Sequence, residues 1–224
     1  MTYLKLLLIR HAESLGNRQG QMEGQTSTAL SHRGQQQAKS LAVALNEGKI
    51  AAPAYLYTSP LQRAIETAQI LQTTARQVPR HQIARNLQEI DQGIFQGLTW
   101  AQAVAKYPDL CRQLTQSLAW QPVPQAESPT AARARAQQWL IELLMTHQPP
   151  DVVWAISHGG LMQQLVSEIL GCDRTWKTPI HHTAIFEFWL ADTRWDTLRQ
   201  DRYNPEWWVL KRVNDCSHLS EFVE

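Results

Sequence analysis

The chain has 224 residues, of which 43% are hydrophobic and 18% charged, a balance typical of a globular protein with a substantial core. Its formal net charge of +1 provides no broad basic field, which argues against nucleic acid as the main ligand. The three cysteines are an odd number without metal-ligand spacing, which favours a reducing cytosol over a disulfide framework. The apolar stretch from Leu4 to Ile9 is too short to span a membrane, so we expect a cytoplasmic protein without a membrane partner.

Six apolar or β-branched runs predict strands. They are Tyr3–Ile9, Ala54–Thr58, Gln82–Leu87, Val152–Ser157, Ala184–Leu190 and Trp207–Val213. The segments between them repeat apolar residues at helical spacing, as in Ala38, Leu41, Ala42 and Leu45. Strands that alternate with helices predict a three-layer α/β/α architecture around a mostly parallel six-stranded sheet, here one domain over residues 1–224.

One region interrupts this alternation. From Thr99 to about Thr130 the pattern predicts one or two short helices and then a Pro-rich loop, without a strand. We expect this segment, about residues 99–130, to form a small helical cap over the carboxyl edge of the sheet. Loops on a rigid scaffold often provide substrate contacts, and Trp100, Arg112 and Trp120 could do so or could simply pack within the cap.

Polar residues follow two of the predicted strands directly. Arg10 and His11 end the first strand, and His158 and Gly159 follow the fourth. Because the carboxyl ends of strands face the binding crevice in open α/β sheets, the two histidines are expected to meet there. The amides of Gly159 and Gly160, at the start of the next helix, could point at the same substrate anion. A neutral imidazole can attack a phosphoryl group, and the adjacent arginine suggests an anionic substrate.

The second and third strands add an arginine and two carboxylates. Arg63 is expected in the first turn of a helix after Ser59-Pro60, where the helix end also favours anions. Either Glu89 or Asp91 could protonate a leaving oxygen. Glu89 is nearer the strand end and is our choice, whereas Asp91 is expected to shape the glycine-rich turn.

Four segments together resemble the motifs of the histidine phosphatase superfamily, the phosphoglycerate mutase-like proteins. They are Arg10-His11-Ala-Glu-Ser with Asn17, Ser59-Pro-Leu-Gln-Arg63, Leu87-x-Glu89-x-Asp91 and Ser157-His158-Gly159-Gly160. The resemblance implies that His11 attacks phosphorus and becomes phosphohistidine. It also implies that Arg10, Arg63, His158 and Asn17 bind the phosphoryl oxygens. Glu89 would protonate the leaving group and then activate water, without a metal or other cofactor.

The sequence departs from that family pattern at several positions that do not carry the proposed catalytic groups. Alanine stands for glycine at two of them, and serine, glutamine and histidine replace aspartate, glutamate and asparagine at the others. In chain order these residues are Ala12, Ser27, Gln96, Ala126 and His182. They put the finer shaping of the pocket in question rather than the reaction.

The leading hypothesis is a metal-independent phosphatase that acts on a small phosphorylated metabolite. A cofactor-dependent phosphoglycerate mutase is an alternative, although Glu89 is not followed by the Arg-His-Tyr of such mutases. A non-catalytic phospho-ligand-binding protein is a third reading. The pair His181-His182 lacks partner ligands for a metal and is expected at the pocket rim. The sequence identifies neither the substrate nor the oligomeric state, which leaves a homodimer open.

We expect structural and not catalytic roles for two arginines and one cysteine. Arg133 and Arg135 are expected to form ion pairs on the surface of the helix that follows Pro129. Cys111 is expected to be inert.

Overall fold

A central sheet organises the molecule. The computed structural model describes residues 2–74, 78–172, 174–175, 178–191 and 206–222. Within these ranges six strands form one sheet in the order β3-β2-β4-β1-β5-β6. They are β1 (Leu4–Arg10), β2 (Tyr55–Thr58), β3 (Arg80–Ile83), β4 (Val152–Ser157), β5 (Ile185–Leu190) and β6 (Trp208–Asp215). The first four strands are parallel, whereas β5 and β6 are added antiparallel, so the predicted mostly parallel sheet is confirmed in a mixed form.

Helices cover both faces of this sheet. The described helices are α1 (Leu15–Arg18), α2 (His32–Asn46), α3 (Gln62–Thr74), α4 (Trp100–Lys106), α5 (Pro108–Gln116), α6 (Pro129–Thr146) and α7 (Gly159–Ile169). Apolar residues of α2 and α3 pack on one face, around Leu7 and Trp154. Those of α6 and α7 pack on the other face, around Leu6 and Val153. This is the predicted three-layer architecture. Among the described helices, none has both the length and the apolar character that crossing a membrane requires.

The topology opens a crevice between two neighbouring strands. In the register of β1 and β4, Arg10 lies beside Ser157. The chain leaves β1 towards α2 on one face and leaves β4 towards α7 on the opposite face. Connections that diverge in this way create the switch point at which open α/β sheets bind ligands. The fold therefore places the residues after β1 and β4 at the mouth of one crevice.

The third strand differs from the prediction of Gln82–Leu87. The observed strand β3 ends at Ile83, and Arg85–Leu87 forms a single 3₁₀ turn. This strand is at the edge of the sheet, where Ile83 is 59% exposed, so its sequence carries little of the apolar signal of a buried strand. The prediction extended to Leu87 because this leucine is apolar. Leu87 is indeed fully buried, but it reaches the core from the 3₁₀ turn and not from a strand.

The predicted cap region contains two helices and a loop. Helices α4 and α5 enclose Ala103 and Cys111 in a small apolar cluster with Phe95, separate from the two cores of the sheet. The loop then runs to Ser128, whose hydroxyl accepts from the amide of Ala131 and caps α6. No named strand occurs in residues 99–130, all of which the structure describes. Whether the segment acts as a cap on one domain stays a prediction.

Candidate active site

Three side chains meet at the carboxyl ends of β1, β2 and β4. His11 follows β1, His158 follows β4, and their ring centroids are 4.8 Å apart. Arg63, from the first turn of α3, places its Nε 3.3 Å from Nε2 of His11 and 3.2 Å from Nδ1 of His158. All three residues are at most 2% exposed. The sequence prediction that these groups converge therefore agrees with the structure.

The imidazole of His11 is held with its Nε2 unprotonated, in contact with Nε of Arg63. Nδ1 is 2.7 Å from the carbonyl oxygen of Ala12, and since a carbonyl can only accept, Nδ1 carries the proton. Nε2, which faces Arg63, is then unprotonated. Burial lowers the pKa of His11 well below its ordinary value, and the charges of His158, Arg10 and Arg63 lower it further. A neutral imidazole with an unprotonated Nε2 has the lone pair that a nucleophile requires.

The guanidinium of Arg63 is fixed by backbone carbonyls. Nη1 donates to the carbonyl of Thr26 at 2.6 Å, and Nη2 donates to that of Gly24 at 2.8 Å. Helix α3 begins at Gln62, two residues after Pro60, and the amide of Gln62 donates to Oγ of Ser27 at 2.7 Å. Ser27, at the family's aspartate position, therefore holds the start of the helix that carries Arg63.

Arg10 has an unused donor that is aimed into the protein. Nη1 donates to the carbonyl of Ile180 at 2.6 Å. Nε is buried and has no hydrogen-bond partner within the described part of the chain. A Cβ built on Gly159 would lie 3.6 Å from this Nε, so the amino end of α7 is adjacent. A buried unpaired donor on a guanidinium is costly, and an anion in the crevice would satisfy it.

His158 is oriented by Ser59. Its Nε2 is 2.7 Å from the Ser59 hydroxyl, while Nδ1 accepts from Arg63. Burial lowers the pKa of His158 well below its ordinary value, and Arg63 and Arg10 add to that effect. The ring is therefore neutral in the free protein. A phosphoryl dianion in the crevice would favour its protonation and turn Nδ1 into a donor.

The carboxylate of Glu89 lies at the amino end of α7. It accepts from the amide of Gly160 at 3.1 Å, of Leu161 at 3.0 Å and of Ile90 at 2.8 Å. A side chain on Gly160 would collide with it, since a Cβ there would lie 2.6 Å from Oε1. We expected the Gly160 amide to face the substrate anion, but the structure commits it to Glu89. The amide of Gly159 stays the predicted anion donor of this turn.

Asn17 is held by protein groups on both sides of its amide. Oδ1 accepts from the amide of Ser14 at 3.3 Å and lies 2.9 Å from Nε2 of His182. Nδ2 donates to the carboxylate of Glu23 at 2.7 Å. One N–H of Nδ2 then remains for the predicted phosphoryl contact.

Two further residues belong to the pocket: Glu23, which the sequence did not predict, and His182, which it predicted only at the pocket rim. Glu23 is 5% exposed, and its side chain approaches Nη1 of Arg63 at 3.8 Å. The ring of His182 is 5.8 Å from that of His11, and burial beside Arg10 lowers the pKa of His182 to about 3. His182 thus belongs to the pocket, as the rim prediction expected. For Glu23, a carboxylate inside an arginine-rich pocket, no periodicity or motif in the sequence gave a signal.

Arg133 and Arg135 form the expected ion pairs, but these pairs are partly buried instead of lying on the surface. Arg135 makes a two-pronged ion pair with Glu127, at 2.9 and 2.7 Å, and donates to the carbonyls of Asn86 and Gln88. Arg133 pairs with Glu168 at 3.0 Å. The guanidinium of Arg135 therefore holds the backbone of the turn that leads to Glu89.

The tail of the chain supports the loop behind Arg10. The amide of His181 donates to Oδ1 of Asn214 at 3.1 Å. His218 Nε2 lies 2.9 Å from the hydroxyl of Thr183, a residue that adopts a positive φ of 59°. These contacts fix the loop that carries His182.

The cap residues that could contact a substrate are exposed. Trp100 is 43% exposed and packs one edge on Phe95, while Trp120 is 57% exposed. Arg112 pairs with Asp109 at 3.2 Å on the surface. Cys111 is buried in the small apolar cluster, as an inert residue would be.

Across the residues that the structure describes, no three His, Cys, Asp or Glu side chains are grouped to hold a metal ion. The ionisable groups of the crevice are instead two arginines, three imidazoles that are neutral in the free protein, and two carboxylates. Such a set can bind an oxyanion, attack it with Nε2 of His11 and move a proton at a carboxylate.

Comparison with known proteins agrees with this chemistry. The family model of the histidine phosphatase superfamily (branch 1) matches residues 6–202. Phosphoserine phosphatase 1 of Hydrogenobacter thermophilus is 28% identical over 221 residues, which cover 98% of this chain and 96% of that protein. Glucosyl-3-phosphoglycerate phosphatase of Mycobacterium tuberculosis is 30% identical over 173 residues, 74% of this chain and 75% of that protein. A mycobacterial glucosyl-3-phosphoglycerate phosphatase solved with VO3 is 27% identical and superimposes with a TM-score of 0.68 over 83% of this chain and 92% of its own.

Proposed function

The chain belongs to the histidine phosphatase superfamily and is a phosphoric monoester hydrolase, and from this premise we propose the course of its reaction. The proposed enzyme needs no metal and hydrolyses a small phosphorylated metabolite through a phosphohistidine on His11. One observation carries the proposal: Nε of Arg63 lies within 3.3 Å of both the His11 and His158 rings, while Nε of Arg10 is buried with no hydrogen-bond partner among the described residues. Two permanent positive charges thus flank a neutral nucleophile.

In the first step Nε2 of His11 attacks phosphorus, and the bond from phosphorus to the substrate oxygen breaks. Arg10 and Arg63 stabilise the negative charge on the phosphoryl oxygens, with Asn17 and His158 as further donors. Glu89, which must enter this step protonated, gives its proton to the leaving oxygen. General acid catalysis of this kind contributes roughly 10²–10⁴-fold.

In the second step a water molecule replaces the leaving alcohol. The carboxylate of Glu89 takes a proton from this water, whose oxygen attacks phosphorus while the bond to Nε2 breaks. His11 returns to its neutral form, and Glu89 is protonated again for the next substrate. The amides at the start of α7 support this exchange because they hold the carboxylate in one orientation.

A trapping experiment tests the proposal. Nitrophenyl phosphate is incubated with the protein in the presence of EDTA, and phosphate release and acid-labile, base-stable phosphoprotein are measured. We expect turnover and a trapped phosphohistidine. His11→Asn should remove both and lower kcat by at least roughly 10³-fold. The matched control is His32→Asn, at an exposed histidine of α2, which should behave as the unmodified protein does. Turnover that EDTA abolishes, or a His11→Asn variant with full kcat, would contradict the proposal.

The same preparation separates the alternatives. A phosphoglycerate mutase would interconvert 2- and 3-phosphoglycerate faster than it releases phosphate, and a pure binder would release none. The names of the relatives make phosphoserine and glucosyl-3-phosphoglycerate the first substrates to compare by kcat/KM. A role of residues 99–130 in that choice, and a homodimer, stay predictions.

A further inference from the structure

A buried carboxylate lies in the crevice and has no part in the proposed chemistry. Glu23 accepts from the hydroxyl of Ser14 at 2.5 Å, from Nδ2 of Asn17 at 2.7 Å and from the hydroxyl of Thr28. The backbone of α1 is packed against it, because a Cβ on Gly16 would lie 2.5 Å from its Oε1. The pocket is therefore built around this carboxylate.

We propose that Glu23 is a positioning residue and a built-in counter-charge: with His182 it fixes the amide of Asn17, and beside Arg63 it weakens the hold on product phosphate. The inference rests on the proposed phosphatase function.

The positioning half follows from the hydrogen bonds of Asn17. Its Oδ1 must be the acceptor, because the Ser14 amide can only donate to it. Nε2 of His182 therefore carries the proton that it shares with Oδ1, while Nδ2 faces the acceptor Glu23. A flipped amide would set oxygen against carboxylate and N–H against N–H. Asn17 is thus locked, and its second N–H is pre-oriented at no cost during the reaction.

The counter-charge half follows from burial. The side chains of Arg63 and Glu23 are only 2% and 3% exposed, and Nη1 lies 3.8 Å from Oε1. Solvent screens such a buried pair weakly, so the negative charge of Glu23 cancels part of the positive electrostatic potential of Arg63. An uncharged isostere at this position would leave that field to the bound anion. A phosphatase has to release phosphate in every cycle, and the carboxylate favours that release.

The first test is Glu23→Gln, which keeps the size of the side chain and removes its charge. We expect the Kd of inorganic phosphate, measured by calorimetry per folded site, to fall about tenfold because Arg63 loses its counter-charge. A fall in kcat would then report slower phosphate release, because the glutamine oxygen can still accept from Nδ2 of Asn17 while its NH₂ group faces the hydroxyl of Thr28. A purely structural role would lower the active fraction and leave this Kd unchanged. An unchanged or weaker affinity for phosphate in Glu23→Gln overturns the counter-charge.

The second test separates the two halves at His182 and is independent of whether Glu23→Gln folds. His182→Phe removes the donor to Asn17 and should lower kcat about tenfold with no tightening of phosphate binding, because Glu23 keeps its charge. His182→Gln can donate from the same place and should recover most of that kcat. The matched control is His181→Phe, at the exposed neighbour, which should leave both quantities unchanged. Equal kcat in His182→Phe and His182→Gln overturns the positioning role.

The unmodified protein distinguishes failure of this inference from failure of the proposed function. If it neither binds phosphate nor hydrolyses nitrophenyl phosphate, the phosphatase function itself fails. If it does both, and the Glu23 and His182 variants show none of the expected changes, the inference alone fails.

Discussion

The floor of the crevice and the segment from Thr99 to Glu127 are built in opposite ways. On the floor, His11, Arg63 and His158 are at most 2% exposed, and each is held by a hydrogen bond to the protein. In the segment, Trp120 is 57% exposed and Leu118 is fully exposed. Rigid, buried groups can stabilise a transition state without reorganisation, whereas exposed side chains can vary without cost to the fold. This difference fits the proposal, in which the floor performs the reaction and the segment selects the leaving group.

The largest expected effect would come from the floor, at Glu89. Glu89→Gln can still accept from the amides of Leu161 and Ile90 through its one oxygen, although it loses the bond from Gly160 to the other carboxylate oxygen. It can neither give nor take a proton. With an alkyl phosphate we expect kcat to fall roughly 10²–10⁴-fold. With nitrophenyl phosphate the first step needs no proton, because that leaving group is stable as an anion, so formation of the phosphohistidine should be little affected. Single-turnover rates of phosphoenzyme formation with the two substrates measure this.

Asp91 is the matched control, since it is the other carboxylate of the same turn. Its Oδ1 accepts from the amide of Gly93 at 2.8 Å, and asparagine can accept in the same way. Asp91→Asn should therefore keep the ratio of the two rates. If Asp91→Asn shows the leaving-group dependence and Glu89→Gln does not, the acid has been assigned to the wrong residue.

What the sequence could predict follows the same division. His11 and His158 stand at the ends of the two most regular apolar runs, and the rule that parallel strands share a carboxyl edge was enough to bring them together. Arg63 needed only a helix start after Ser59-Pro60. For these positions local pattern and fold rule agree, so a single sequence is informative.

The parts that the sequence did not predict depend on tertiary contacts. Glu23 lies in an irregular segment, and its partners Asn17 and Arg63 are assigned by folding, not by spacing. The sequence places Arg135 on a helix face expected at the surface, yet its guanidinium donates to backbone carbonyls of the turn before Glu89. Strand β3 lacks the apolar pattern because it lies at the edge of the sheet. An apolar pattern in the sequence indicates burial, so it misses a strand whose side chains are exposed.

An intermediate effect is expected in the exposed segment. Trp120→Ala should change kcat/KM by about tenfold, because a contact from a half-exposed side chain falls at the low end of the roughly 1–3 kcal/mol by which apolar pocket contacts discriminate. The change should differ between phosphoserine and glucosyl-3-phosphoglycerate, and phosphoenzyme formation from nitrophenyl phosphate should stay close to that of the unmodified protein. Met145→Ala, at an exposed apolar residue of α6 that is 84% accessible, is the matched control and should alter neither substrate. A uniform loss with all three substrates would place Trp120 with the floor and remove the contrast between the two regions.

The smallest effect on the reaction is expected from His182→Gln, which acts mainly on stability and measures how firmly the pocket is buried. Burial beside Arg10 and Arg33 lowers the pKa of His182 to about 3, whereas a histidine in the unfolded chain titrates near its ordinary value of 6.5. Between these values the unfolded chain binds a proton that the folded protein does not. The free energy of unfolding therefore decreases as the pH falls, by about 1.4 kcal/mol per pH unit for each such histidine. His11 and His158 contribute with the same sign, since their pKa values are also lowered.

His182→Gln should remove one proton from this dependence. The free energy of unfolding in urea, plotted against pH between pH 6 and pH 4, should therefore have a slope smaller by about 1.4 kcal/mol per pH unit. Above pH 7.5, where the ring is neutral in both states, the two slopes should coincide. Identical slopes below pH 6 would mean that His182 takes up its proton in the folded protein, and the pocket would then be more open to water than its buried rings indicate.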